Sequence, residues 1–392
     1  MRSFRIGELT ILARALVFVA SAGVAGPTLL AANIQTLHYF AENPYGDMGV
    51  MITADGQRVV GDDGTYGEIG FVWTDADGII SHLVNDDGGF GVLGMSGDGS
   101  TLVGAITGRD PSRPVVSTIG RRQHIFNSFY IGYVKGASYD GSVAVGASRS
   151  RNANSVGFQA FRWSESTGVE SIVDYLPEDA RPLLTRSWAN AISDDGMVAV
   201  GAFAMDLKPY RIGTHGYVWQ ANSLQLVDPL VEGGTINLND VSADGQFVVG
   251  SGSDVGSARR ALWWSEEQGL QRLDQLSPTD LTSSANAISA DGSTIVGRSG
   301  VAVLWDDAGV HDIRTMLIES GVENLDSITL DFATDVSSDG RFVVGVGHDQ
   351  QKNYFAWRAD LYVVPEPPAL PLIAVAATGL LVFRLRGRCV AA

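Results

Sequence analysis

Short apolar runs rich in valine recur along the chain, and each of them follows an Asp-Gly pair. Seven segments share this pattern, and their acidic residues are Asp55, Asp98, Asp140, Asp195, Asp244, Asp291 and Asp339. Asp-Gly between apolar runs indicates a hairpin turn, because glycine adopts a positive φ at little cost and aspartate tolerates one. Valine-rich runs favour β-strands. Successive copies lie 42 to 55 residues apart, so the pattern predicts one β unit repeated seven times.

Three further elements complete each repeat. An aromatic run follows the turn and ends in tryptophan in six copies, at Trp73, Trp163, Trp219, Trp264, Trp305 and Trp357. The second copy lacks this tryptophan and has PVVSTIG, from Pro114, in its place. A glycine-containing turn with an alternating segment comes next, as in SESTGVESI, and a segment such as SWANAIS precedes the next Asp-Gly. Four short strands per repeat are typical of a propeller blade.

We therefore predict an all-β, seven-bladed β-propeller over residues 33–362, built from repeats of about 47 residues. The strand-like segment at residues 34–40 is predicted to pair with residues 354–361 and to close the ring. The glycine that ends each valine-rich run indicates a bend or a close approach of two backbones. The length between this glycine and the tryptophan varies, which predicts variable hairpin loops along one edge of the ring.

The N-terminus, residues 1–32, has the order of a secretory signal peptide. Arg2, Arg5 and Arg14 precede an apolar stretch that ends in small residues. Signal peptidase would cut after Ala22 or near Ala32, and the sequence does not choose between these sites. The alternatives are a short buried helix and an uncleaved anchor.

The C-terminus, residues 363–392, has three ordered parts. Pro365, Glu366 and Pro367 come first, 15 apolar or small residues follow at 369–383, and Arg384, Arg386 and Arg388 close the segment. This order resembles the PEP-CTERM sorting signal of Gram-negative bacteria. The resemblance implies transient insertion into the inner membrane, cleavage near Pro-Glu-Pro by an exosortase, and release to the cell surface or the extracellular space. The alternative is a plain membrane anchor, which leaves the body on the same side of the membrane.

Composition narrows the range of partners. The chain has 44 acidic and 27 basic residues, for a net charge of −17. Each end carries a net charge of +2, which leaves −21 on residues 33–362. Such a body is expected to bind no nucleic acid, which requires clustered lysine and arginine. The single cysteine, Cys389, lies beyond the last arginine and excludes a disulfide scaffold.

The repeats also resemble the extracellular HAF-repeat family of bacteria over residues 45–360. The motif that names the family falls at QAF (159–161), RAL (260–262) and HGY (215–217), and only the last retains the histidine. The resemblance implies an extracellular location and the propeller fold rather than a particular chemistry.

The repeated aspartate is the most frequent polar feature, and it has two interpretations. It either caps its own turn through backbone hydrogen bonds or belongs to a ring of Ca²⁺ ligands. We favour capping, because one aspartate per blade does not supply the 6–8 oxygens that Ca²⁺ takes. Weak Ca²⁺ binding by denser acidic turns, such as Asp75 to Asp77, is the alternative. The six histidines show no metal-binding spacing, so no metal, cofactor or catalytic residue is predicted.

One basic stretch stands out in the second repeat, where Arg113, Arg121 and Arg122 suggest a face for an acidic polysaccharide. Trp188 lies outside the repeated tryptophan position and would stack on a sugar if it is exposed. The alternatives are a solvated loop face for the arginines and burial between blades for Trp188.

Taken together, these features predict an exported, exosortase-processed protein of the cell surface or extracellular matrix. It would act as a non-catalytic binding or structural propeller associated with exopolysaccharide. The alternative is a propeller glycosidase or lyase, and a glycosidase would need two carboxylates that face the channel. Every acidic residue that the repeats place in register lies in an Asp-Gly turn, which favours the binding module.

Overall fold

The chain folds into seven four-stranded antiparallel sheets, the blades of a β-propeller, in the computed structural model. The structure describes residues 32–361 except for 41–48, 62–69, 84–89, 107–111, 119–123, 151–156, 208–210, 221–222 and 255–257. The prediction of an all-β, seven-bladed propeller is confirmed. Residues 1–31 of the expected signal peptide and the sorting segment at 363–392 lie outside the described residues.

The strands follow one another from the channel outwards in each blade. Blade 1 has β2 (Val50–Ile52), β3 (Arg58–Gly61), β4 (Gly70–Thr74) and β5 (Gly78–Leu83); blade 2 has β6 (Phe90–Met95), β7 (Thr101–Ile106), β8 (Arg113–Thr118) and β9 (His124–Ile125). Blade 3 has β10 (Phe129–Ala137), β11 (Val143–Ser150), β12 (Gln159–Ser164) and β13 (Gly168–Ser171); blade 4 has β14 (Leu184–Ile192), β15 (Val198–Leu207), β16 (Arg211–Gln220) and β17 (Ser223–Val227). Blade 5 has β18 (Ile236–Val241), β19 (Phe247–Ser253), β20 (Arg259–Ser265) and β21 (Gly269–Arg272); blade 6 has β22 (Ser283–Ile288), β23 (Ile295–Ser299), β24 (Val301–Asp306) and β25 (Gly309–Asp312). Blade 7 has β26 (Ile328–Val336), β27 (Phe342–Asp349), β28 (Tyr354–Asp360) and, as its outermost strand, β1 (Asn33–Tyr39).

The two ends of the described chain meet in blade 7 and close the ring. Strand β1 pairs with β28 in an antiparallel register that joins Asn33 to Asp360 and Tyr39 to Phe355. Buried Leu37 from β1 packs in the same apolar cluster as Trp73 of blade 1 and Phe342 of blade 7. The predicted pairing of the N-terminal strand with the last repeat is therefore confirmed.

Each Asp-Gly turn is held by the same three hydrogen bonds. The hydroxyl of a serine or threonine two residues before the aspartate donates to its Oδ1 at 2.6–2.9 Å. The same Oδ1 accepts the backbone N–H two residues later, and the hydroxyl accepts the N–H five residues after it. The glycines have φ between 68° and 76°. The capping interpretation of the repeated aspartates is confirmed.

The tryptophan of the last repeat is out of register with the others, and here the prediction was wrong. In five blades the tryptophan pairs with the residue two positions before the closing glycine, as Trp219 does with Ala199. In blade 7, Trp357 pairs with the closing glycine Gly345 itself, and Ala359 occupies the tryptophan position. Trp357 fills the space over that glycine, where a Cβ would lie 2.5 Å from its ring.

The inner strands of blades 2 to 7 each contain a β-bulge, and the closing glycine lies opposite it. At Gly201 a Cβ would lie 2.0 Å from the carbonyl oxygen of Trp188, and at Gly250 it would lie 2.1 Å from that of Asn237. The close backbone approach predicted for these glycines is confirmed. Because a bulge adds one unpaired residue to the strand, it also sets which side chains face the channel.

The one α-helix of the described residues, α1 (Ile313–Glu319), packs Ile313 and Leu317 against blades 6 and 7. Asp312 caps it by accepting the backbone N–H of Arg314. Among the described residues, no helix has the length and apolar character needed to cross a membrane.

Candidate binding site

The inner strands of all seven blades surround a central channel with a cavity of about 910 Å³. We call the end near the Asp-Gly turns the lower end, and the end near the hairpins that join the second and third strands the upper end. The bulges divide the channel wall into three layers: the bulge residues form the middle layer, residues two positions earlier the upper layer, and residues one position later the lower layer.

The upper layer combines aromatic rings with hydrogen-bonding groups. Tyr133, Trp188, Asn237, Ser284 and Phe332 come from five successive blades and all line the cavity. The three aromatic side chains are half-buried, so part of each ring faces the channel. Trp188 is fixed by a hydrogen bond from its Nε1 to Asn237 Oδ1 at 2.6 Å, and the Arg186 guanidinium lies 5.7 Å from its ring centroid.

The middle layer joins neighbouring blades through side-chain donors. Asn190 Nδ2 donates to the carbonyl of Leu238 at 2.7 Å, Asn239 donates to Ala285 at 2.8 Å, and Asn286 donates to Ala333 at 2.7 Å. Thr334 continues the series, because its hydroxyl donates to the carbonyl of Val50 at 2.6 Å. Four consecutive blade junctions are thus held from within the channel, which gives the layer above a rigid base.

The lower layer carries two carboxylates, and sequence reasoning missed both. Asp240 accepts the backbone N–H of Ile288 at 2.9 Å, and Asp335 accepts that of Ile52 at 2.9 Å. Burial raises the pKa of Asp240 to about 6 and that of Asp335 to about 7. The expectation that in-register acidic residues lie only in Asp-Gly turns was therefore wrong. These two follow a bulge, which the repeat pattern does not reveal.

Positive charge lies on the channel wall or beside it in three neighbouring blades. Lys135 Nζ donates to Asn190 Oδ1 at 3.2 Å, and Arg186 lies over Trp188. Arg259 also lines the cavity, and its Nε and Nη2 donate to Ser251 Oγ at 2.9 and 2.6 Å. The three cations therefore lie at or above the middle layer while the two carboxylates lie in the lower layer, so the channel is electrostatically polar along its axis.

The structure places Trp188 and Arg113, two of the residues predicted from sequence, in different parts of the propeller. Trp188 lies on the channel wall rather than buried between blades. Arg113 lies on β8, the third strand of blade 2, where its Nη1 donates to Asn127 Oδ1 at 2.7 Å. Trp188 belongs to the innermost strand of blade 4, so the two are not part of one site. Arg121, Arg122 and the sorting residues at 365–367 and 384–388 lie outside the described residues.

Tyr133, Asn237, Ser284 and Phe332 are the site residues that sequence reasoning missed. A signal for them was present, because they lie in the segment that precedes each Asp-Gly pair and differ in chemistry where the repeats otherwise agree. In a ring of like blades, a variable position on the innermost strand marks the channel wall.

We next consider which side chains of the described residues could bind a metal ion. Within the ranges that the structure describes, no group of three or more histidine, cysteine, aspartate or glutamate side chains is arranged to hold a metal ion. The repeated aspartates use Oδ1 within their own turns, and hydrogen bonds from the Ser293 backbone and from Ser289 keep the pKa of Asp291 below its usual range.

Solved structures share this fold. The chain is 11% identical to the β-propeller domain of the Trilobed protease from Pyrococcus furiosus, with a TM-score of 0.53 over 86% of this chain and 100% of that domain. It is 11% identical to the β-propeller domain of Cps50 (Swd1) from Myceliophteria thermophila, with a TM-score of 0.50 over 85% and 100%. At this identity the likeness shows the fold alone.

TolB from Acinetobacter baumannii matches at 13% identity and a TM-score of 0.40, over 80% of this chain. The chain spans 63% of the length of that protein. No family model matches the sequence, and no curated protein matches it.

Proposed function

We propose that this protein is an exported, non-catalytic binding propeller that holds extracellular polysaccharide in the upper part of its central channel. The observation that carries the proposal is the upper layer, where Tyr133, Trp188 and Phe332 offer aromatic faces beside Asn237 and Ser284. Aromatic faces stack on the apolar faces of sugar rings, and amide and hydroxyl groups bond to sugar hydroxyls.

The rigidity of the channel supports the same function. The middle layer fixes blades 4 to 7 and blade 1 to one another, so the aromatic rings are held in place before a ligand arrives. A preorganised site loses less conformational entropy on binding than a flexible one. The lower-layer carboxylates accept backbone N–H groups of the next blade, which favours a structural role for them over an acid–base pair.

Glycan binding tests this proposal. The full-length chain, exported from a Gram-negative host with an exosortase, is titrated with a panel of oligosaccharides from matrix polysaccharides. Replacing Trp188 and Tyr133 together by alanine is expected to weaken binding about tenfold or more, because two stacking surfaces are lost. Tyr139→Ala is the control, since Tyr139 is an exposed aromatic residue at the opposite, lower end of the ring.

Two outcomes count against the proposal. One is the absence of binding to any member of the panel. The other is binding that Tyr139→Ala weakens and the double variant leaves unchanged. Release of reducing sugars by the protein, lost in the double variant, favours the glycosidase or lyase instead. Circular dichroism confirms that each variant is folded.

The second part of the proposal concerns the cellular location of the protein. The order of Arg2, Arg5 and Arg14 before an apolar stretch supports export through a cleaved signal peptide, and the Pro-Glu-Pro segment supports processing by an exosortase. Replacing Pro365, Glu366 and Pro367 by alanine is expected to leave the precursor in the inner membrane. Pro371→Ala, in the following apolar segment, is the matched control. If both variants reach the cell surface in equal amounts, processing at the Pro-Glu-Pro segment is contradicted.

A further inference from the structure

Arg259 places a cation on the channel wall of this acidic chain. It lines the channel, and its guanidinium bonds to a neutral partner, the hydroxyl of Ser251. Within the described residues it takes part in no ion pair, and partial desolvation lowers its pKa while part of the side chain stays exposed. The side chain is thus an accessible cation that borders the channel cavity.

Several other arginines of the chain are neutralised by carboxylates. Arg162 pairs with Glu170 at 2.8 Å, and Arg341 pairs with Asp360 at 2.7 Å. In a chain with 44 acidic and 27 basic residues, a carboxylate partner is easily supplied. The Arg259 guanidinium is held by a serine instead and faces a cavity. It is therefore able to bind the anionic group of a ligand.

The surroundings of Arg259 reinforce this selectivity for anions. Lys135 from blade 3 and Arg186 from blade 4 add positive charge to the same side of the channel. Asp240 and Asp335 lie in the lower layer, where above about pH 7 their ionised carboxylates repel an anion from the channel floor. An anionic ligand is therefore held at the level of the aromatic rings rather than drawn through the ring of blades.

We infer that the upper channel recognises an acidic sugar, whose carboxylate accepts hydrogen bonds from Arg259 while its ring stacks on the aromatic upper layer. This inference rests on the proposed function and specifies its ligand class. Guanidinium and carboxylate match in planar geometry and charge, which gives shorter and stronger hydrogen bonds than neutral pairs.

The experiment uses ligands that differ only at the carboxylate. Hexasaccharides of β-1,4-glucuronate, α-1,4-galacturonate and β-1,4-mannuronate are titrated into the full-length exported protein, each beside its carboxyl-reduced, neutral counterpart. The protein is expected to bind at least one acid about 10- to 100-fold more tightly than its neutral counterpart, as a charge-assisted pair predicts. Arg259→Gln is expected to remove this preference, and Arg259→Lys to restore part of it.

Arg113→Gln is the matched control, because Arg113 lies outside the channel. This substitution is expected to leave the preference for acidic over neutral ligands intact. Binding of acid and neutral ligands with equal affinity, still lost in the Trp188→Ala, Tyr133→Ala variant, overturns the acidic-sugar inference and leaves the proposed function standing. An acid preference that persists in Arg259→Gln also overturns it. Failure to bind any of the six ligands or any member of the wider panel contradicts the proposed function itself.

Discussion

Gly250 lies against the carbonyl of Asn237, and the bulged inner strand of the blade requires glycine at this position. The bulge in β18 brings that carbonyl so close that a Cβ at position 250 would lie 2.1 Å from its oxygen. Side chains are therefore excluded at this position, although its φ lies outside the left-handed region. The repeated glycine of the sequence is thus a consequence of the bulge across from it.

Replacing Gly250 by alanine is expected to destabilise the protein by about 3 kcal/mol or more, because the backbone of the inner strand must move. Gly269→Ala, in the same blade, is the control. Gly269 has φ 68° with open space around it, so its substitution is expected to cost only about 1 kcal/mol of backbone strain. Urea unfolding measures both, and equal losses contradict the close-approach account.

The serine of the Asp-Gly turn is the second residue on which a blade depends. Ser242 donates to Asp244 and accepts the backbone N–H of Phe247. Ser242→Ala leaves that partly buried N–H without its side-chain acceptor, so we expect a loss of about 1–2 kcal/mol in the free energy of unfolding. Exposed Gln246, in the same turn, is the control, and Gln246→Ala is expected to change it by less than about 0.5 kcal/mol.

Whole elements follow closely from the sequence, whereas their register does not. Asp-Gly turns and valine runs locate the second strand of each blade, because the local chemistry that forms them is present in every copy. Trp357 was misplaced by two residues, since strand pairing rather than residue identity sets which position faces Gly345. The bulges were also missed, because one unpaired residue leaves no periodic signal over so short a strand.

The candidate site depends on the bulges and the register of the inner strands, which the sequence does not reveal. Trp188 is recognisable in the sequence as a tryptophan outside the repeated position, but its place on the channel wall follows from the bulge at Asn190. Asp240 and Asp335 were missed for the same reason. Arg259 could not be singled out from sequence, because its distinguishing feature is a partner, Ser251, that the fold supplies.

Strand β1 closes the ring, so its packing is expected to contribute to the stability of the whole molecule. Leu37 is buried in the cluster that joins blades 7 and 1, while its neighbour Thr36 is exposed. We expect Leu37→Ala to cost about 2–4 kcal/mol of unfolding free energy and Thr36→Ala to cost less than about 0.5 kcal/mol. If both substitutions are neutral in thermal and urea unfolding, β1 does not hold the ring closed.

The lower-layer carboxylates give the molecule a pH dependence with a definite sign. Their pKa values in the folded protein, about 6 for Asp240 and about 7 for Asp335, exceed the unfolded value of 3.8. The folded state therefore binds these protons more tightly than the unfolded state. The contribution of the two carboxylates to stability is greatest below about pH 4 and is lost as the pH rises through about 6 and 7. The shift corresponds to roughly 3 kcal/mol of that loss for Asp240 and roughly 4 kcal/mol for Asp335.

Asp335→Asn is expected to flatten this dependence, because the amide stays neutral at every pH. The melting temperature of the variant should exceed that of the wild type near about pH 8 and by much less near about pH 5. Exposed Asp307→Asn serves as the control and should leave the profile unchanged. A wild-type melting temperature that rises steadily from about pH 5 to about pH 8 contradicts the assignment of these buried carboxylates.

Hydrogen–deuterium exchange with and without a bound acidic hexasaccharide tests the central claim, that the channel is the binding site, most directly. We expect slower exchange in the inner strands β10, β14, β18, β22 and β26, which carry the upper layer, and no change in the outermost strands of the same blades. Protection confined to outer strands or to the Asp-Gly turns, with the inner strands unchanged, would show that polysaccharide binds elsewhere and would contradict this account.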